Sequence, residues 1–326
     1  MSYRAAEGRY DDISYRYCGR SGLQLPTVSL GLWQHCFEVT LVHELVTTSF
    51  DRGMTHFDLA NNYGPPPGAA EESMGKVLAR ELGAYRDELV IATKAGYDMW
   101  PGPYGDFGSR KYLLASLDQS LQRLGLDYVD IFYHHRPDPN TPLEETIGAL
   151  SDIVRQGKSI YAGISNYRGD LIRKAADIAR ELRLPLIINQ VKYNMIDRGP
   201  EEDVIPVCES EGQSMIAFSP LAQGLLTGRY LDGIPDDSRA AKGMNDLGNR
   251  IDEAILTRVR TLNEIAEARG QTLAQMALAW ILRHDGVVSV IIGASKPSQV
   301  IDCVGATQAD PLSEEELGHI EAVLSG

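Results

Sequence analysis

The chain has 326 residues, with 45 acidic against 31 basic side chains, a formal net charge of -14 and four cysteines. Such an acidic surface repels phosphate backbones and anionic lipid, so neither nucleic acid nor a membrane is expected as the main partner. At this length a large core can be buried without disulfides or metals. None of Cys18, Cys36, Cys208 and Cys303 falls in a Cys-x-x-Cys pair, which argues against zinc-ribbon and thioredoxin-like sites.

In chain order, Met1 to Tyr10 shows no apolar signal-peptide core, and no later apolar run is long enough to span a bilayer, so a reduced cytoplasmic setting is expected. Ser14–Pro26 has a hairpin pattern around a Gly-Arg-Ser-Gly turn. Eight short apolar runs follow, at Val28–Trp33, Thr55–Ala60, Leu89–Lys94, Tyr128–His135, Ser159–Ser165, Leu186–Val191, Ser214–Ser219 and Val287–Ile292. Their continuous apolar character suits strands buried on both faces of a parallel sheet. Between them lie helix-patterned segments at Ala69–Leu82, Ser109–Leu124, Thr141–Gln156, Asp170–Leu184 and Glu201–Glu211, with Ser109 and Thr141 as N-caps and Pro142 at a first helical position.

This alternation predicts an α/β fold: a single (β/α)8 TIM barrel over residues 1–326, its N-terminal end plugged by the β-hairpin. A doubly wound sheet fits less well, because no G-x-G-x-x-G or G-x-x-x-x-G-K phosphate loop occurs. The long polar stretch Gly224–Ile251, before the last strand, reads as a functional loop.

Barrel active sites gather at the C-terminal ends of the strands. There the sequence offers Asp58, with Tyr63 just beyond it, then Lys94, His134-His135, Ser165-Asn166, Gln190, Phe218-Ser219 and Gly293 to Ser295. A lysine closing an apolar strand demands a partner, and Asp58 is the natural one. Reduction of a carbonyl needs a proton donor. Tyr63 suits that role if the Lys94 ammonium stabilises its phenolate, with a histidine donating a hydrogen bond to the carbonyl oxygen. Strand alternation admits only one of His134 and His135 to the barrel and does not choose between them. His56 reads as a core histidine, and no acidic or cysteine ligand spacing accompanies the histidines, so no metal is expected.

Several motifs resemble the aldo-keto reductase superfamily: Phe57-Asp-Leu-Ala-Asn-Asn-Tyr-Gly64, Thr93-Lys94, Tyr128 to Arg136, Gly163-Ile-Ser-Asn166 and Ser219-Pro-Leu-Ala-Gln-Gly224. The likeness runs from Val28 to Ile301 and includes the potassium-channel β subunits, which carry Asn at the place of His135. It implies reduction of small aldehydes, phosphorylated trioses among them, with NADP(H), by Asp58, Tyr63, Lys94 and His135, in a homo-oligomer. It selects His135 over His134 because Arg136-Pro137 follows. It also implies a cofactor site made of Trp33, Asp58, Ser165, Asn166, Gln190, Phe218, Ser219, Pro220, Leu221, Gln223, Arg229, Arg239, Gly293, Ser295 and Gln299. Arg229 stands where relatives often have Lys, and Asp302-Cys303 where they often have Glu-Asn. Trp33 and Trp100 are candidate substrate walls. Arg110, Lys111 and Arg136 are candidate holders of a substrate phosphate: the first two are cations in a helix's first turn, which call for a compensating anion, and Arg136 directly follows His135 near the mouth. Two other readings are a regulatory NADP(H)-binding module with slow turnover and a sugar-phosphate isomerase.

Overall fold

The computed structural model describes residues 3–33, 38–231, 233–234 and 251–325. An antiparallel hairpin of β1 (Tyr15–Tyr17) and β2 (Gln24–Pro26) leads into eight parallel strands. These are β3 (Val28–Gly31), β4 (His56–Asp58), β5 (Val90–Ala95), β6 (Val129–His134), β7 (Ser159–Ser165), β8 (Leu186–Lys192), β9 (Ser214–Phe218) and β10 (Val287–Ile292). Each pairs with the next and β10 pairs back to β3, closing the barrel. The helices of the crossovers are α1 (Val39–Phe50), α2 (Ala69–Val77), α3 (Arg110–Leu124), α4 (Leu143–Arg155), α5 (Gly169–Leu182), α6 (Pro200–Asp203), α7 (Ile205–Glu211), α8 (Glu253–Ala268) and α9 (Leu273–Leu282). After the last strand come α10 (Pro297–Val304) and α11 (Glu314–Ser325). The fold is the (β/α)8 barrel with N-terminal hairpin that the sequence implies.

Two apolar layers hold it. One lies between strands and helices, from Val28 and Phe57 outward to Trp280. The other fills the barrel and joins Ala92, Ile131, Tyr133, Ile188 and Ile216 to Cys18 and Leu25 of the hairpin. The hairpin thus plugs the N-terminal end. It is tied there by Gly19 N to Ser214 Oγ at 2.7 Å, and by Arg16, whose guanidinium donates to the carbonyls of Leu282, His284 and Val287. The Leu282 carbonyl ends α9, where helical acceptors lack intrahelical partners.

Local details differ from the sequence pattern in places. Ser109 caps α3 as expected, accepting from Tyr112 N at 3.3 Å. Thr141 does not cap α4: the helix opens at Leu143, and Asp138 Oδ1 instead accepts from the Asn140 and Thr141 amides at 2.8 and 3.2 Å. The helices α1, α8, α9, α10 and α11 had no counterpart in the pattern, and most of Gly224–Ile251 lies outside the described residues.

Strand parity decides which histidines face where. Asp130 on β6 points outward to Arg86 at 2.9 Å, and Tyr133 points into the barrel. His134 therefore faces the helices, with Nδ1 2.8 Å from Tyr167 Oη, while His135 shares the inner face with Tyr133. His56, of the same parity as Asp58, has Nδ1 2.9 Å from Ser29 Oγ, itself 2.7 Å from Ser289 Oγ. Burial pushes both His56 and His134 down from 6.5 to about 4.

The unfolded chain protonates these two histidines near pH 6.5, whereas the folded chain resists until about pH 4. Stability is then full above pH 6.5 and falls as the pH drops toward 4, each histidine taking about 3 kcal/mol at the acid end. Urea midpoints measured across this window should fall less steeply in His134→Asn than in the wild type. Equal slopes would contradict the buried neutral state of His134.

Candidate active site

The C-terminal end of the barrel gathers the ionisable groups. Lys94, fully buried on β5, donates from Nζ to Asp58 Oδ2 and to the Leu59 carbonyl, both at 2.6 Å. The second oxygen of Asp58 accepts from Gln190 Nε2 at 2.9 Å. Burial lowers the Lys94 pKa, and Asp58 opposes that shift. Tyr63, half-buried beyond β4, lies with its ring centroid 5.1 Å from Lys94 Nζ and 6.0 Å from the His135 ring.

The proximity of Lys94 does not lower the Tyr63 pKa in this geometry. Burial raises it well above 10, with Asp58 and Tyr97 adding to the rise. The Lys94 charge is directed into Asp58 and a carbonyl, so the phenol keeps its proton. Burial likewise holds the His135 pKa well below 6.5, helped by Lys94, His134 and Arg136, so the imidazole is neutral. Among the described residues His135 Nδ1 is buried without a hydrogen-bond partner, which leaves Nε2 as the nitrogen available to a ligand. The sequence reading did not single out Tyr97, whose ring stands edge-on to His135 at 4.7 Å and 86°.

Ser165, Asn166 and Gln190 also come together here. Ser165 Oγ donates to the Gln190 carbonyl at 2.8 Å, and Asn166 Nδ2 donates to the His135 carbonyl at 3.1 Å and to Ser165 Oγ at 3.2 Å. With the amide nitrogens of Asn166 and Gln190 engaged, their side-chain oxygens remain as acceptors, the complement of a carboxamide NH2 group. Phe218 ends β9 half-buried, followed by Ser219, buried Pro220, Leu221 and Gln223. Non-glycine residues with left-handed φ cluster at this end: Phe107, Asn166, Ser219, Ala222 and Gln223. Such backbone persists where its surroundings over-determine it, often at ligand sites.

Gly293, Ser295 and Gln299 are exposed beside the start of α10, with Ser295 N donating to Gln299 Oε1 at 2.8 Å. Arg229 lies in an exposed short turn, and Trp33 is 38% exposed. Arg239 lies outside the described residues. Asp302 accepts from Thr272 Oγ1 and from Gln275 Nε2, the two members of the capping box of α9, and Cys303 is buried.

The three cations considered for a substrate phosphate do not converge. Arg110 pairs with Asp152, and its amide donates to Glu145 Oε1 at 3.0 Å, so the anion called for at the start of α3 is the protein's own. Arg136 Nη2 donates to both oxygens of Asp106, at 2.8 and 2.7 Å. Lys111 lies 5.3 Å over the Tyr104 ring, with no carboxylate partner among the described residues. Trp100 packs against Tyr112 at 5.2 Å.

Among the described residues no helix is long and apolar enough to cross a membrane, and no cluster of three His, Cys, Asp or Glu side chains is placed to hold a metal ion. Residues 27–325 match the model of the Aldo/keto reductase family. The chain is similar to the L-glyceraldehyde 3-phosphate reductase of Escherichia coli, 51% identical over 333 positions that cover 98% of this chain and 95% of that protein. It is 36% identical to a putative voltage-gated potassium channel subunit beta of Schizosaccharomyces pombe (96% and 94% covered). It is 38% identical to a probable voltage-gated potassium channel subunit beta of Arabidopsis thaliana (92% and 93% covered). A match of this extent, on a closed barrel whose mouth collects Asp58, Tyr63, Lys94 and His135, means that the chain is an oxidoreductase belonging to the aldo/keto reductase family.

Proposed function

We propose that the protein reduces small aldehydes with NADPH, with L-glyceraldehyde 3-phosphate and methylglyoxal as substrates, and that Tyr63 is the proton donor. The observation that carries this reading is the grouping of a protonated phenol, a neutral imidazole and a buried Lys94–Asp58 pair at one barrel mouth. The phosphorylated substrate is suggested by the name of the Escherichia coli relative.

The reduced nicotinamide supplies the hydride when bound. Ser165, Asn166 and Gln190 hold its carboxamide, and Phe218 lies against its ring. Ser219, Pro220, Leu221 and Gln223 take the pyrophosphate region, with Trp33 and Asp58 beside the nicotinamide half. Gly293, Ser295 and Gln299 take the adenosine end, with Arg229 and Arg239 at its 2'-phosphate. Asp302 and Cys303 add no adenine contact, since one is bound to the α9 cap and the other is buried. His135 donates from Nε2 to the substrate carbonyl oxygen and orients it toward Tyr63. As negative charge grows on that oxygen, Tyr63 gives up its proton. Lys94, held charged by Asp58, stabilises the phenolate that remains. Trp33 and Trp100 wall the substrate, and Lys111, rather than Arg110 or Arg136, is the cation left to meet a substrate phosphate.

Tyr63→Phe removes only the donor. It should lower kcat by ~10²–10⁴-fold or more while leaving the NADPH Kd, read by protein fluorescence, near that of the wild type. An unchanged kcat would exclude Tyr63 from proton transfer.

Arginine binds phosphate with several N–H groups at once. Arg229→Ala and Arg239→Ala should therefore weaken NADPH far more than NADH in paired titrations. Equal weakening of the two nucleotides would remove both residues from the 2'-phosphate.

A further inference from the structure

The loop after β5, residues 96–108, is anchored from an unexpected direction. Arg136, next in sequence to His135, lies between two aromatic rings of that loop. Its guanidinium carbon is 4.2 Å from the Tyr97 centroid and 4.3 Å from that of Phe107. Nε donates to the Gly96 carbonyl at 2.7 Å, and Nη2 is held by the Asp106 carboxylate. Asp106 also accepts from the Phe107 amide at 2.6 Å, and Phe107 has a φ of 66°. A left-handed backbone at a phenylalanine is costly, and here it sets the ring on the guanidinium.

Gly96 has room for nothing larger. A Cβ there would lie 2.9 Å from that of His135. The loop is fixed from the other side too, because Tyr112 Oη donates to the Tyr97 carbonyl at 2.5 Å and itself accepts from Asn61 Nδ2 at 3.0 Å. The outcome is that the Tyr97 ring stands edge-on against His135. Among the described residues His135 Nδ1 has no hydrogen-bond partner, so no polar contact at that nitrogen fixes the rotation of the ring. Packing must do so, and Tyr97 supplies it.

We infer that Arg136 is a positioning residue, which clamps Tyr97 between itself and His135 and thereby sets the imidazole for the carbonyl. The inference rests on the reading of His135 given above. It assigns to Arg136 a role distinct from holding a substrate phosphate. A guanidinium is suited to the clamp because its plane stacks between rings while its edge bonds a carboxylate and a carbonyl.

A double-mutant cycle tests it, with Arg136→Ala, His135→Asn and the double variant assayed with NADPH against methylglyoxal and against glyceraldehyde 3-phosphate. A displaced catalytic group costs rate steeply, so Arg136→Ala alone should lower kcat about tenfold or more on both substrates. The NADPH Kd should stay within about twofold. In the His135→Asn background the same change should cost less than about twofold, since residues that act as a unit are non-additive. Asp106→Asn, which loosens the guanidinium without emptying its place, should show the same pattern at smaller amplitude and covers the case in which Arg136→Ala fails to fold. A full additive loss in both backgrounds would overturn the inference, as would a rise in KM confined to the phosphorylated substrate. Wild-type kcat in His135→Asn would instead remove the role of His135, and with it the basis for the clamp.

Discussion

The buried pair of Lys94 and Asp58 is the constraint around which the mouth of the barrel is organised. An ammonium with no exposure must be fully matched, and this one finds Asp58 and the Leu59 carbonyl, both at 2.6 Å. Asp58 in turn takes the Gln190 amide, so one charge cluster ties β4 and β5 to β8 across the barrel. Breaking such a pair from one side strands a charge and costs about 3–5 kcal/mol, whereas replacing both partners by apolar groups is often harmless. Its retention at the catalytic end, and not in the apolar layer below, is therefore easier to explain by chemistry than by stability.

A second buried charge packs against the outer side of the same strand. Glu71, fully buried in the first turn of α2, accepts from Thr93 Oγ1 at 2.5 Å and pairs with Arg123 of α3 at 2.7 Å. This contact docks α2 against β5 and α3. Tyr63 lies in the short connection between β4 and α2, and its carbonyl accepts from Ala70 N at 3.3 Å. The phenol is thus located by a helix anchored one residue away from Lys94 on the neighbouring strand. Glu71 also favours the charged state of Lys94 through the strand. Residues on opposite faces of β5 therefore serve one arrangement.

Much of this was readable in the amino-acid order. Eight apolar runs, most with a polar or ionisable residue at or just beyond the C-terminal end, announce both the barrel and the place where its chemistry gathers. Buried parallel strands and barrel mouths leave that signature in sequence. What was not readable depends on which side groups share in space. The choice between His134 and His135 was open by periodicity, although Asp130 held the answer, since a carboxylate four residues before His134 marks the outward parity. The helix α1 was missed because its run of Val and Thr resembles a strand locally, and only tertiary packing of Val42, Leu45, Val46 and Phe50 decides it. Sequence gave no sign of Tyr97 at all, because its contact with His135 comes from a loop folded by Arg136, Asp106 and Phe107.

The electrostatics of the mouth also differ from what a list of its charged residues suggests. Arg110, Arg136 and Lys94 each face a carboxylate of the protein, so the cations are largely neutralised before any substrate arrives. What remains is a pair of neutral donors, the Tyr63 phenol and the His135 imidazole, kept neutral by burial. A carbonyl in its ground state asks little of such donors, while an alkoxide asks a great deal, and the difference is largest where water is scarce. Under the proposed reading, a phenol whose pKa is raised cannot protonate the carbonyl early. It would yield its proton only once the carbonyl oxygen has become strongly basic. Burial of Tyr63 would then delay proton transfer until that charge has developed, and Lys94 would have its effect late, on the phenolate left behind, which is the stage at which a paired but nearby ammonium is most useful.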